Sequence, residues 1–410
     1  MSKPNVFILV VDSLRADAVF GDGIATPNFD ALARTGSAFH QCICTTTTTT
    51  PSFSSILTGC YPPKHGVRGL QGYRLSESVT TLAEAFGRAG YHTYAEVTGP
   101  LLPETGVLRG FHEANHRQGY RVPFFSWRES TIGKMNNYKE PWLMLLHIWE
   151  VHRPFRSPPD FVKRFDRAGY EAAVAATDEW LAPVFEAAGA DSIVVVTGDH
   201  GEEYPESNRQ MKLIGATRKV RRKLRLSRWA PALDNKLAAF AVGHGFALYE
   251  HLVRVPLILA GAGVPHSEVH EQVRHIDLFP TLAALCEVES PPGIDGRSLL
   301  PLMAGEEMPE EPAYMEAVGV KLEGRRIRGV RTPDWKLLKE GEHGAPRLYR
   351  LNGSMPPDEK HDVSSKHPEI TSHLDSVLEN ISSAPATTDS GMTEEQEALV
   401  EQHLKDLGYL

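Results

Sequence analysis

Four short runs rich in apolar and β-branched residues, at positions 5–12, 142–148, 193–197 and 255–260, constrain the fold of this chain most tightly. Each has the length of a strand, and the near-continuous apolar character belongs to strands buried on both faces, as inside a parallel sheet. Helical periodicities separate them, at 28–35, 78–89 and 170–188. The alternation predicts a doubly wound α/β domain with a large, mostly parallel central sheet. Such sheets bind ligands at the carboxyl ends of their strands. Asp12, His147 and Asp199 stand at or just beyond those ends, so position alone makes them candidates.

The pattern changes after Arg297. Residues 325–338 and 347–351 alternate polar and apolar side chains, which predicts a small antiparallel sheet. Residues 382–393 read as a linker rich in Ser, Thr, Ala and Pro, and 394–407 regain helical periodicity. The expected division is a catalytic α/β domain over 1–305, a small subdomain over 306–381, and a linker with a helical tail over 382–410. A chain of 410 residues supports a sizeable core. Its net charge of -9 argues against nucleic acid as a partner. Residues 1–11 are too short for a cleavable leader, and no run approaches the ~20 apolar residues of a spanning helix. Cys42, Cys44, Cys60 and Cys286 show neither paired zinc spacing nor a dense disulfide pattern. The expected compartment is the cytoplasm, and nothing signals an oligomeric state.

Two segments carry chemistry. The stretch TGDHGE at 197–202 sets Asp199 beside His200 after a buried strand, with glycines that allow close backbone approach. Oxygen ligands plus one imidazole suit Mn²⁺ or Zn²⁺ better than Ca²⁺. The second segment holds six consecutive threonines, Thr45 to Thr50, ahead of Pro51 and Ser52. Threonine hydroxyls commonly bond to local backbone, which makes a plain polar loop the bland reading. A helix beginning near Ser54 would instead offer free N–H groups to an anion, and a threonine held against a divalent cation is an activated nucleophile.

Six ordered blocks resemble the sulfatase family of the alkaline phosphatase superfamily: 5–17 (NVFILVVDSLRAD), 26–36 (TPNFDALARTG), 51–67 (PSFSSILTGCYPPKHGV), 197–202, 244–257 (HGFALYEHLVRVPL) and 275–300. RTPDWK at 331–336, residues 348–351 and the ending at 404–410 are similar to that family's C-terminal parts. The resemblance implies an α/β sandwich with a small C-terminal sheet. It also implies one divalent metal ion held by Asp12, Thr49, Asp199 and His200, with Mn or Zn preferred and Mg or Ca open. His152 and His244 match positions that contact the transferred group, where an imidazole stabilises charge or protonates a leaving oxygen.

The departures from the family pattern are chemical. Sulfatases convert the first residue of C/S-x-P-x-R to formylglycine. Thr49 stands at that position, with Pro51 as the proline and Phe53 in place of the arginine. Threonine cannot become that aldehyde, Ser13 replaces the second of the paired aspartates, and His200 stands where many members carry Asn. These differences resemble the phosphoester branch of the superfamily. The expectation is a metal-dependent hydrolase or phosphotransferase working through a covalent Thr49 intermediate, on an anionic ester such as a glycan or lipid headgroup. The alternatives are a sulfuric-ester hydrolase acting without formylglycine and a non-catalytic binder of anionic glycan or lipid. A basic insertion over 209–235, with Arg209, Lys212, Arg218, Lys219, Arg221, Arg222, Lys223, Arg225 and Arg228, suits peripheral contact with an anionic membrane through 209–233, a lid over a polyanionic substrate, or a plain solvated helix face.

Overall fold

The computed structural model describes residues 3–117, 123–153, 155, 157–165, 169–203, 244–320, 326–351, 359, 361–383 and 392–409, with scattered positions between 213 and 237. The central sheet comprises β1 (Asn5–Val11), β2 (Ser37–Ile43), β3 (His92–Val97), β4 (Glu113–His116), β5 (Trp142–Ile148), β6 (Ser192–Gly198), β7 (Arg254–Gly261) and β8 (Ser267–Arg274). Its order is β4-β3-β5-β1-β6-β7-β2-β8. Alternate residues of β1 enter two different cores. Val6, Ile8 and Val10 pack with Phe53, Phe86 and Phe279, while Phe7, Leu9 and Val11 pack with Phe29, Val174 and Leu181. Helices therefore cover both faces, which accounts for strands without a polar side.

β1 lies between β5 and β6 and pairs with both in parallel, Val11 standing opposite Ile148 and Gly198. Three strands thus end at one level. The run at 255–260 is a buried strand as its composition implied, but β7 pairs antiparallel with β6 and β2. The chain enters β7 from the short helix Glu250–Val253, whose Leu252 carbonyl accepts from Gly201 N and whose Val253 carbonyl accepts from Cys44 N. That entry is already at the carboxyl edge, so the strand must run back. Continuous apolar character reports burial on two faces and carries no direction.

Two helix starts also differ from their periodicities. Leu82–Arg88 begins after Thr81, because Thr81 and Glu84 cap each other reciprocally. Thr49–Thr58 begins five residues before Ser54. Pro51 is tolerated in that first turn because an N–H there has no intrahelical partner to lose.

The second sheet, β9 (Ala313–Ala317), β10 (Ile327–Arg331), β11 (Trp335–Glu340) and β12 (Arg347–Arg350), is antiparallel in the order β12-β11-β10-β9. The helix Pro368–Ser382 covers it through Leu374 and Leu378. A buried ionic cluster ties it to the large sheet. Lys336 Nζ donates to Glu250 Oε1 (2.9 Å) and Glu359 Oε1 (2.7 Å), and Arg331 donates to Glu250 and Gln272. Burial alone would raise the Glu250 carboxyl, yet Lys336 and Arg331 hold it well below its ordinary range. Among the described residues no helix is long and apolar enough to cross a membrane, and all four cysteines are free and buried.

Glu250→Ala leaves the buried Arg331 without a carboxylate and Lys336 with Glu359 alone, and is expected to cost about 3–5 kcal/mol in denaturant unfolding. Lys405→Ala, which removes the exposed Lys405–Glu401 pair, is expected to cost under about 1 kcal/mol. Equal effects would contradict the distinction.

Burial also pushes the His65 and His275 imidazoles down to about 3, against about 6.5 when unfolded. The unfolded chain therefore takes up protons first as pH falls below about 6.5, and stability contributed by these neutral rings is lost from there toward pH 3. Thermal unfolding followed from pH 8 to 5 is expected to show a falling midpoint, and a flat profile would contradict it.

Candidate functional site

Asp12 follows β1 and its N–H donates to Ile148 O (2.9 Å), which fixes it to the end of β5. Ser13 next to it adopts a left-handed conformation (φ 65°), a costly state for a residue with a side chain. That turn lets Ser13 Oγ donate to Asp12 Oδ1 (2.8 Å) while its N–H donates to Asp199 Oδ1 (2.9 Å). Ser13 thus braces both carboxylates. Asp199 and His200 follow β6 between two glycines that admit no side chain. A Cβ at Gly198 would lie 2.3 Å from Leu14 O, and one at Gly201 would lie 1.9 Å from His251 O.

Five of the six threonine hydroxyls are engaged, most of them outside the tract. Thr45 bonds to Ser55 Oγ, Thr46 to Thr48 O, Thr47 to Ala247 O and Thr50 to Pro100 O. Thr49, the first helical residue, instead donates to Asp12 Oδ2 (3.2 Å).

Around Asp12 and Asp199 the imidazoles share one orientation. His147 Nδ1 meets Thr98 O (3.0 Å) and His200 Nδ1 meets Gly201 O (2.8 Å). A carbonyl only accepts, so the proton resides on Nδ1 and the Nε2 lone pair faces inward. His147 Nε2 lies 3.5 Å from Asp12 Oδ2 and His200 Nε2 lies 3.4 Å from Asp199 Oδ2. His147 Nε2, His200 Nε2 and Asp199 Oδ2 are buried without a hydrogen-bond partner. Acceptors aimed at acceptors call for a cation between them. The ligand atoms of Asp12, His147 and Asp199 lie within 4.8 Å of one another, and outward Nδ1–H bonds are how metal-binding histidines are usually held. The residues therefore fit one divalent ion.

Electrostatics agree. Burial would raise Asp12, but His152, His147 and His200 hold it well below the usual carboxylate range. Asp199 is raised by burial and by the charge on Asp12. Burial would lower His200, yet Asp199 and Asp12 raise it.

A second cluster adjoins the first. His244 Nδ1 donates to Glu202 Oε2 (3.2 Å), leaving Nε2 turned inward without a partner. Its ring stacks on His200 (4.6 Å between centroids) and lies edge-on to His152 (5.0 Å). His152 Nδ1 donates to Arg153 O (2.6 Å), and burial lowers this ring to about 4, so it is neutral near pH 7. Glu202 would be raised by burial, but His244 and Arg153 bring it down to about 2. Although His152, Glu202 and His244 also have ligand spacing, Arg153 Nε lies 3.7 Å from Glu202 and already supplies positive charge there.

Seven sequence candidates, Asp12, Thr49, His147, His152, Asp199, His200 and His244, converge here. His147 was a candidate by its strand-end position but was not placed among the ligands, because an imidazole inside an apolar strand also reads as a satisfied core group. Two residues were missed as members. Glu202 was visible within TGDHGE but lacked a stated role. Tyr409, whose hydroxyl reaches His152 Nε2 (3.0 Å), carried no spacing signal. Of the basic insertion, Lys223 and the exposed Leu224 and Leu233 are described. Its other named cations, Arg209, Lys212, Arg218, Lys219, Arg221, Arg222, Arg225 and Arg228, lie outside the described residues.

The sulfatase family model matches residues 4–102 and 130–288, and a model described as N-sulphoglucosamine sulphohydrolase, C-terminal, matches 245–384. The chain belongs to the sulfatase family. This sulfatase-family chain is 23% identical to the uncharacterized sulfatase YidJ of Escherichia coli over 73% of its length and 71% of that protein's. Matches to arylsulfatase K sequences extend over 37–38% of those proteins, so the chain spans little more than a third of their length. The same fold occurs in BT4656, solved with its substrate D-glucosamine-2-N,6-O-disulfate (TM-score 0.71, 17% identity, 96% and 100% coverage). It also occurs in the phosphonate monoester hydrolase of Agrobacterium radiobacter (TM-score 0.70, 17% identity, 92% and 95% coverage). The chain is thus a sulfatase-family hydrolase, a family whose enzymes use a divalent metal.

Elemental analysis of this sulfatase-family protein is expected to find one divalent ion per chain. Asp199→Asn is expected to lose it, and His147→Ala to lower its occupancy. Chelation should lower the unfolding temperature by a few degrees; full occupancy in His147→Ala would return that ring to the core.

Proposed function

We propose that this sulfatase-family hydrolase cleaves phosphoric esters through attack by Thr49, with Asp12, Thr49, Asp199, His200 and His147 holding one divalent ion. The observation that carries the proposal is the Thr49 hydroxyl. It occupies the first position of a ten-residue helix and bonds to Asp12 beside two inward-facing imidazoles. A helix N-terminus favours an anion, so an ester group is drawn to the same place. Thr49 also carries a methyl on Cβ, and oxidation there would give a ketone, not the aldehyde that the family motif produces.

When bound, the ion would stabilise the alkoxide form of Thr49 and the charge on the transferred group. Asp12 Oδ2 already accepts a hydrogen bond from the Thr49 hydroxyl. The hydroxyl gives up its proton to solvent, the Thr49 oxygen bonds to phosphorus, and the bond from phosphorus to the ester oxygen breaks. Glu202 holds Nδ1–H of His244, as the acidic member of a triad holds its histidine. Carrying a proton, His244 Nε2 protonates the departing oxygen. Deprotonated, it accepts a proton from the water or alcohol that resolves phosphothreonine. Arg153 balances Glu202 and remains available to the anion.

A sulfuric-ester hydrolase is the second reading, favoured by relatives that are named sulfatases and by the substrate in BT4656. One assay separates the two. Metal-reconstituted protein is offered matched p-nitrophenyl phosphate, phosphate diester, phosphonate monoester and sulfate, each beside Thr49→Ala. The expected result is turnover of a phosphorus ester that Thr49→Ala lowers about a thousandfold or more. Sulfate turnover above phosphate, or a fully active Thr49→Ala, would overturn the proposal.

A further inference from the structure

The final helix, Glu394–Leu407, ends at Gly408, whose left-handed backbone (φ 88°) turns the chain inward. Tyr409 N–H closes that turn on Leu404 O (3.0 Å). The tyrosine ring then lies against His152, His244 and Trp149, at 6.0, 6.4 and 6.4 Å between centroids. Its hydroxyl is 3.0 Å from His152 Nε2 and also faces the Thr49 side chain.

This placement is anchored. Val400 and Leu404 are buried against Leu70 and Leu102, His403 Nε2 donates to Gly99 O (2.9 Å), and Gln71 Nε2 donates to Glu401 Oε2 (3.1 Å). The helix therefore docks on the loop that follows β3.

The direction of the hydrogen bond follows from geometry. His152 gives its Nδ1–H to Arg153 O, so Nε2 accepts and the Tyr409 O–H donates. Buried carboxylates dominate this site: Asp12, Asp199 and Glu202 are 0% exposed. An anionic ester beside Thr49 needs donors, and a phenol with a rotatable O–H stands within reach of that hydroxyl.

We propose that Tyr409 is a substrate-contacting residue of this site: its hydroxyl turns from His152 Nε2 to a non-bridging oxygen of the anionic ester, while its ring stays against His152, His244 and Trp149. The proposal rests on the reading of the site as one for anionic esters. No bond is made or broken by Tyr409.

The test compares the metal-loaded full chain with Tyr409→Phe and with a chain ending at Leu407. Unfolding temperature, affinity for inorganic phosphate by calorimetry, and kcat and KM on the four p-nitrophenyl esters are measured for each. Tyr409→Phe should keep the parent's unfolding temperature while phosphate affinity and kcat/KM fall tenfold or more, the range for one hydrogen bond to a charged group. The shorter chain should show the same losses. Affinity and kcat/KM within twofold of the parent would overturn the proposal, as would faster turnover in either variant, which makes Tyr409 a plug. If the parent turns over none of the esters, the phosphoesterase reading falls, and phosphate affinity alone decides Tyr409. A parent that binds no phosphate overturns both.

Discussion

Everything near the site depends on three carboxylates being buried together. Asp12 and Asp199 end neighbouring strands, and Glu202 follows three residues later; all are removed from water. Three buried negative charges without compensation are untenable. Arg153 offsets one, and because each Nδ1–H is given to a carbonyl, the imidazoles in their neutral form turn Nε2 lone pairs toward the remaining two. The surroundings are thus prepared for a doubly charged cation, and the neutral tautomers are part of that preparation. The proposed coordination set, the proposed single ion and the proposed place of the nucleophile all descend from this one electrostatic requirement.

The scaffold that satisfies it is shared between distant parts of the chain. Three successive carbonyls, Thr98, Gly99 and Pro100, receive His147 Nδ1–H, His403 and the Thr50 hydroxyl. One loop therefore orients an inward-facing imidazole, anchors the last helix and pins the threonine tract. The tract is held from its other side by the small sheet. Glu316 N–H donates to Thr45 O (2.8 Å), and the Glu316 carboxylate is itself fixed by Arg68 and Tyr314. The small sheet acts as a clamp on the segment that presents Thr49, and the Glu250–Arg331–Lys336 cluster fastens the clamp to the large sheet.

What the sequence disclosed follows a physical division. Features set by local periodicity or a strand end were legible: β1, β5 and β6, the helix Tyr170–Ala188, the antiparallel second sheet, and the convergence of Asp12, Asp199 and His200. The direction of β7 was not, since burial on both faces looks the same whichever way a strand runs. The early start of the Thr49 helix was hidden because threonine has modest helix propensity, and here burial and side-chain bonds override it. His147 resembled any core imidazole until the carbonyl on Nδ1 and the carboxylate near Nε2 were both in view. The ending at 404–410 stood out for its resemblance, but the meeting of Tyr409 with the site was not legible, since it arrives from 257 positions after His152.

Phe53 gives the departure from the family motif a structural meaning. It stands where the formylglycine pattern has arginine, and it is wholly buried with its ring edge-on to His147 (4.9 Å between centroids, 72°). A guanidinium there would bury a positive charge directly behind that imidazole and would need a partner of its own. The aromatic ring instead shields that imidazole and keeps its surroundings apolar, which strengthens the attraction between the ion and its carboxylates. The positive charge appears at Arg153, on the other side of the site, beside Glu202 and clear of the Asp12–Asp199 pair. Under the proposed reading, threonine at the motif's first position is a nucleophile that requires no oxidation, and phenylalanine at its last position backs the adjoining imidazole with an apolar ring.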